Sequence, residues 1–181
     1  MTQQITAFLL QIIFMFLAGA ALLRAYANSI GAPLNNPFGH FILALTDWAV
    51  RPLRRVLPPL GRTDWASLLL ALSLCLLHAL LLVLLFGSLM QAPLDVLTIG
   101  LLQLARVAIN SLLALLIVYA LLSWLQPNSP LFNLAARLVA PLLAPLQRII
   151  PLVGGIDLSP LVLIVLLQIG LMLLTALATG A

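Results

Sequence analysis

Sixteen consecutive residues of this chain recur without a gap 93 positions later, and that duplication limits the fold more than any other feature. Residues 52–67 are PLRRVLPPLGRTDWAS and residues 145–160 are PLQRIIPLVGGIDLSP. Identities fall at Pro52/Pro145, Leu53/Leu146, Arg55/Arg148, Pro58/Pro151, Gly61/Gly154 and Asp64/Asp157. The same offset aligns Tyr26 with Tyr119, Asn35 with Asn128 and Pro37 with Pro130. Leu matches are cheap in an apolar chain; matched Arg, Asp, Tyr and Pro are not. The pattern predicts two copies of one unit of about 90 residues, residues 1–90 and 91–181.

Each unit has to fold in lipid. Hydrophobic residues make up 64% of the chain and charged residues only 7%, against about 25% charged in a soluble domain. All eight basic residues are Arg and all four acidic ones Asp. About 20 apolar residues cross a bilayer as helix, and four stretches qualify, near 5–26, 66–90, within 97–125 and 158–179. They are long, rich in Leu and Ala, and lack the alternation of strands. Lipid also admits only helices or closed barrels, because no water satisfies an exposed backbone. The fold class is therefore all-α, a multi-pass helical membrane protein with four transmembrane helices in two parallel repeats. Residues 5–17 resemble the core of a signal peptide, but no Arg or Lys precedes them and the apolar run continues to Leu23, so a retained membrane helix is expected.

Seven arginines lie in or beside the two polar connectors, 27–64 and 120–157, whereas Arg106 and Asp95 lie on the other side. The positive-inside rule places both connectors in the cytoplasm and both termini outside. Net charge of +4 beside apolar spans points to a membrane surface, not to nucleic acid. In the first connector Asn36 and Pro37 form a helix start. At 100° per residue His40, Asp47, Arg51 and, where the helical phase survives Pro52, Arg54 and Arg55 share one arc, with Phe38, Phe41, Ile42, Leu45 and Val56 opposite. That is an amphipathic interfacial helix. Asp47 and Arg51 are spaced to pair, and Pro52 is expected to end or kink the helix near Arg51. In the second connector a short helix over 130–140 is expected, with Pro141 and Pro145 then breaking it. The Gln91-Ala92-Pro93 segment is the expected junction between units.

The candidate site residues are those of the duplicated element: Arg55, Pro58, Asp64, Arg148, Pro151, Gly154, Gly155, Asp157, Ser159 and Pro160. Each aspartate follows its arginine by nine positions and stands where a span begins. Asp there caps the helix and pairs with a local arginine; the sharper alternative is a pocket for an anionic group or lipid headgroup. Gln103, Arg106 and Asn110 share one face of the third span, so Arg106 either snorkels to the outer interface or belongs to a polar seam. His78 lies in the second span with Leu171 at the corresponding place in the other copy, which favours a packing hydrogen bond over a haem ligand. Cys75, the lone cysteine, is expected to be a buried hydrophobe. Four scattered aspartates supply no catalytic set, no metal or cofactor site is expected, and the motifs HExxH, CxxC, GxxxxGK and GxSxG are absent from the sequence.

The stretch Pro145-Leu146-Gln147-Arg148-Ile149-Ile150-Pro151, followed by Gly154-Gly155-Ile156-Asp157-Leu158-Ser159-Pro160, resembles the hallmark of the YggT family, called YlmG in some bacteria. Tyr119, Ser123-Trp124 and Asn128 fit the segment before it. The first copy departs from the pattern at Arg62 and Ala66-Ser67. The resemblance implies a small multi-pass inner-membrane protein without an established activity; plastid relatives are linked to cytochrome b6 maturation and nucleoid distribution. The expected function is a non-enzymatic membrane scaffold or assembly factor, with the lipid bilayer and another membrane protein as partners and self-association left open. The alternatives are a small transport or channel component and a haem or cytochrome maturation factor.

Overall fold

The computed structural model describes residues 2–57, 61, 63–86, 93–150 and 157–179. Pro58, Pro151, Gly154 and Gly155 of the candidate site, Arg62, and the Gln91-Ala92 junction lie outside them. Among the described residues the regular elements are six α-helices: α1 (Thr2–Ile30), α2 (Pro37–Val56), α3 (Trp65–Phe86), α4 (Pro93–Leu125), α5 (Pro130–Gln147) and α6 (Ser159–Thr179). Four of them, α1, α3, α4 and α6, are long and apolar enough to cross a membrane.

Helix α1 ends where a left-handed residue is available. Gly31 adopts φ 70°, and the Gly31 and Ala32 amides bond back to the carbonyls of Asn28 and Ala27. That double bond closes the helix as a Schellman motif, a conformation an L-residue adopts only at a cost. The chain turns through 31–36, and Asn36 restarts it: its side chain accepts from the Gly39 amide at 2.7 Å, with Pro37 in the first turn. Ser129 does the same for α5, accepting from the Phe132 amide at 3.0 Å ahead of Pro130. Both connector helices thus start as an N-cap followed by proline, 93 residues apart.

The internal prolines do not stop these helices. α2 continues through Pro52 to Val56, and α5 continues through Pro141 and Pro145 to Gln147, so neither helix ends near Arg51 or residue 140. Each proline removes one backbone hydrogen bond and crowds the preceding turn. All three lie on exposed faces, where the freed carbonyls are not sealed in a dry core, and the packed opposite faces hold the helices together.

The spans pack through small residues. Ala18, Ala21, Ala66, Ala71 and Cys75 are buried together where α1 meets α3. α3 also packs on α4, where a Cβ on Gly100 would come within 2.5 Å of Leu76. α1 approaches α4 at Gly19, whose missing Cβ would stand 2.9 Å from the Ser111 hydroxyl. Further along both helices, Ala27 packs with Leu115 and Leu116 and with Leu134 and Leu138 of α5. α2 lies against α1 and α3, α5 against α4 and α6.

Gly31→Ala should lower unfolding free energy by about 1 kcal/mol, the strain of an L-residue in the left-handed region. Thermal unfolding in mild detergent measures it, with Gly61→Ala, also at positive φ, as the companion. A shift for neither would mean that these turns relax without cost.

Candidate functional site

One turn of charged side chains joins the first connector helix to the two spans beside it. Arg24 of α1 is only 3% exposed. Its Nη1 donates to Thr46 Oγ1 at 2.7 Å and to Asp47 Oδ1 at 2.8 Å, both on α2. Its Nε stands 3.9 Å from Asp64 Oδ2, close enough for an ion pair and too far for a hydrogen bond. Asp47 also pairs with Arg51 at 2.7 Å, four residues on, as its spacing predicts.

Asp64 is the centre of the arrangement and is 2% exposed. Its Oδ2 accepts from Arg54 Nη2 at 2.5 Å, Asn28 Nδ2 at 2.7 Å and Ser67 Oγ at 2.8 Å. Its Oδ1 accepts from the Ser67 amide at 3.3 Å, capping α3. α1, α2 and the start of α3 therefore converge on one carboxylate. Burial pushes this carboxyl up, but the Arg54 and Ser67 hydrogen bonds, the Arg54 charge and the Asn28 bond outweigh it and hold it below the usual value. Asp47 behaves alike: burial raises it, and Arg24 and Arg51 bring it below the ordinary range.

The expected partner differs by one residue. Arg54, not Arg55, reaches Asp64; Arg55 is exposed. α2 runs unbroken to Val56, so the helical phase carries position 54 toward α3 and turns position 55 outward. The second unit repeats this geometry without the charge. Gln147, ten residues before Asp157, donates Nε2 to Asp157 Oδ2 at 2.8 Å, as Arg54 stands ten residues before Asp64. Asp157 Oδ1 accepts from the Ser159 amide at 2.9 Å. Burial raises this carboxyl and the Ser159 and Gln147 bonds more than offset it. Arg148 is exposed, Pro160 sits in the first turn of α6, and Ser159 is fully buried.

Sequence reasoning counted Arg24 only among the seven arginines in or beside the connectors and missed its role. The signal was present: Arg24 is the sole charged residue of α1, and a lone charge in a span needs a partner.

The chain matches the CCB3/YggT family model over residues 3–85 and 98–178. It belongs to the CCB3/YggT family. Among relatives, an uncharacterized Vibrio alginolyticus protein encoded in the proC 3′ region is 38% identical over 165 residues, covering 90% of this chain and 89% of the relative. The uncharacterized YggT of Escherichia coli K12 is 35% identical over 163 residues, covering 90% and 85%. No solved structure matches the chain.

A second polar contact in this YggT-family chain lies between α3 and α4. His78 is buried, with Nδ1 within 2.9 Å of the Gln103 side-chain amide and Phe14 against its ring at 5.4 Å. The histidine bridges helices, as expected of a packing residue. His78 Nε2 and Arg106 Nε are both buried without a hydrogen-bond partner. Among the described residues no group of three or more His, Cys, Asp or Glu is placed to hold a metal. Cys75 is buried, as expected.

Asp64→Ala leaves two arginines facing a missing anion and should cost about 3 kcal/mol. Asp157→Ala removes one hydrogen bond from an uncharged donor and a cap and should cost about 1 kcal/mol. Thermal unfolding in detergent ranks them; equal effects would refute the assignment of the anchoring charge to the first unit. Because the folded carboxyls of Asp47 and Asp64 sit below the unfolded value of about 3.9, their contribution is fully present above that pH. It is lost as pH falls through the lowered folded values. Melting temperature should therefore drop below pH 4 more steeply in the wild type than in Asp64→Asn.

Proposed function

We propose that the protein is a non-enzymatic scaffold of the bacterial inner membrane, built from two copies of a span, interfacial helix, span unit. Both copies present their amphipathic helix on the cytoplasmic leaflet, where it docks another membrane protein. The observation that carries this reading is the fastening of α2 to the ends of α1 and α3 through Arg24–Asp47 and Arg54–Asp64. A helix tied at both neighbours across the ends of two spans lies along the membrane surface.

Further support comes from the side chains that α2 leaves outside. Trp48 is 64% and Phe41 50% exposed, beside exposed Arg51 and Arg55. Aromatic and arginine side chains together fit a headgroup boundary, with rings in the acyl region and guanidinium groups toward phosphate. Parallel copies are supported by the order of contacts along α1 and α4, Gly19 with Ser111 and then Ala27 with Leu115. Two crossings per copy return the chain to the same side. The arginine-rich connectors favour the cytoplasm for that side and the periplasm for both termini. The unsatisfied nitrogens of His78 and Arg106 support a second reading, a transport component with a polar seam between α3 and α4.

Cysteine labelling tests the scaffold reading, in a background where buried Cys75 is replaced by Ala. Arg55→Cys should react with a membrane-impermeant maleimide in inverted vesicles and not in spheroplasts. Phe41→Cys should stay protected until detergent is added. Labelling of Arg55→Cys from the periplasmic side would reverse the orientation, and free labelling of Phe41→Cys would lift the connectors out of the interface. Flux in reconstituted vesicles abolished by Arg106→Leu would replace the scaffold with a transporter.

A further inference from the structure

A cavity of about 470 Å³ lies between the two halves, walled by α1 and α4 and covered by α2 and α5. We propose that it holds one acyl chain of an anionic phospholipid, whose phosphate rests beside Arg137. The proposal builds on the placement of α2 and α5 at the cytoplasmic leaflet.

The walls set the depth. The α1 wall extends from Leu23 to Ile12, and the α4 wall from Val118 to Val107. At 1.5 Å per residue each wall descends about 16 Å. That is half of a hydrocarbon core of about 30 Å, the depth of one leaflet. The lining is apolar apart from the side chains of Asn110 and Ser111, so a hydrated or charged solute would lose its water without recovering hydrogen bonds.

The apolar lining and the one-leaflet depth select the occupant, a hydrocarbon chain. The side opening suits lateral exchange with the bilayer. Phe16 and Phe41 line the cavity, are about half exposed, and stand 6.2 Å apart as a ring pair at its mouth.

Leu134 lines this cavity and also a second, more polar depression of about 710 Å³. There the 33–36 turn faces the outer side of α5, bringing Asn35, Asn36 and Asn133 beside Arg137. Arg137 is exposed and makes no ion pair among the described residues. A cation ringed by amides, one residue wall away from an acyl-sized cavity, is complementary to a phosphodiester attached to a chain.

Both halves build the site. The four α2 positions that cover it, Phe38, Phe41, Ile42 and Leu45, have counterparts 93 residues on at Leu131, Leu134, Ala135 and Leu138 of α5. The wall positions on α1 and α4 correspond at 95 instead, from Ile12/Val107 to Leu23/Val118. The turns account for the difference: residues 31–36 make six and residues 126–129 make four.

The test uses the full-length protein in nanodiscs of phosphatidylcholine with a minor share of phosphatidylglycerol carrying a photoreactive diazirine on its acyl chain. Adducts should map to the α1 and α4 walls, residues 12–23 and 107–118. Native mass spectrometry from mild detergent should show one phosphatidylglycerol retained per chain. Ala114→Phe, which fills the cavity, should lose it. Arg137→Gln should keep a bound lipid but lower the preference for phosphatidylglycerol over phosphatidylcholine about fivefold, the worth of one basic residue at an anionic surface. Adducts confined to the outer face of α6, no retained lipid, or retention unchanged in Ala114→Phe would overturn the acyl site. An unchanged headgroup preference in Arg137→Gln would overturn the phosphate assignment. The photoadducts come from unmodified protein, so poor folding of a variant does not decide the matter. Maleimide labelling at Arg55→Cys, a position that does not line the cavity, reports connector placement without reference to bound lipid, so the two can fail separately.

Discussion

Everything at the connector end of this molecule follows from the need to neutralise Arg24. A guanidinium buried near the end of a span loses most of its hydration, and that loss is tolerable only with anionic and hydrogen-bonding partners in place. Asp47 and Thr46 supply them from α2, and Asp64 adds a carboxylate from the start of α3. None of these partners is near Arg24 in sequence. The charge therefore enforces a tertiary arrangement: α2 must fold back over the ends of α1 and α3 for the ion to be satisfied. Arg51 and Arg54 then balance the two carboxylates from the wetter side. Such a network adds little net stability relative to a well-packed apolar core. Its larger effect is on uniqueness, because any other placement of α2 leaves buried charge unpaired.

Much of this was legible in the residues. Apolar runs of about twenty gave the spans, since lipid leaves the backbone no alternative to helix. Asn36-Pro37 gave the start of α2 through a capping rule that acts locally. What failed was local reasoning applied to positions where tertiary packing decides. Pro52, Pro141 and Pro145 look like helix breaks, yet each falls on an exposed face, and burial of the other face carries the helix through. The choice between Arg54 and Arg55 depends on helical phase across Pro52, so misjudging the proline also misassigns the ion pair. Arg24 was invisible as a structural centre because its partners are 22 to 40 residues away along the chain.

The ungapped offset of 93 was informative for the connectors and misleading for the spans. Asn36 and Ser129 cap equivalent helices at that spacing, and Arg54 and Gln147 reach equivalent aspartates. Tyr26 and Tyr119 share the spacing but not the contacts. Tyr26 donates its hydroxyl to the Leu138 carbonyl at 2.8 Å, whereas Tyr119 stacks on Phe132 at 5.6 Å. A turn two residues longer in the first half shifts one span against the other. A single offset cannot hold through a region where one copy carries an insertion, and identical residues there are not equivalent positions.

The two halves also divide the physical work unequally. At the positions of Asp47 and Arg51 the second half has Ala140 and Ala144, and neither Ile117 nor Tyr119, the counterparts of Arg24 at the two spacings, carries a charge. Its Asp157 is held by an amide, and its α5 covers an apolar cavity instead of closing over a buried ion. Without a buried charge to satisfy, α5 is fixed mainly by packing of Leu134, Ala135, Leu138, Val139 and Leu143. Packing is non-directional and tolerates displacement that a hydrogen-bonded ion network does not. The first connector helix is thus held by an ion network and the second mainly by apolar packing. Helix α5, held in that way, carries Arg137 in the polar depression that shares Leu134 with the cavity.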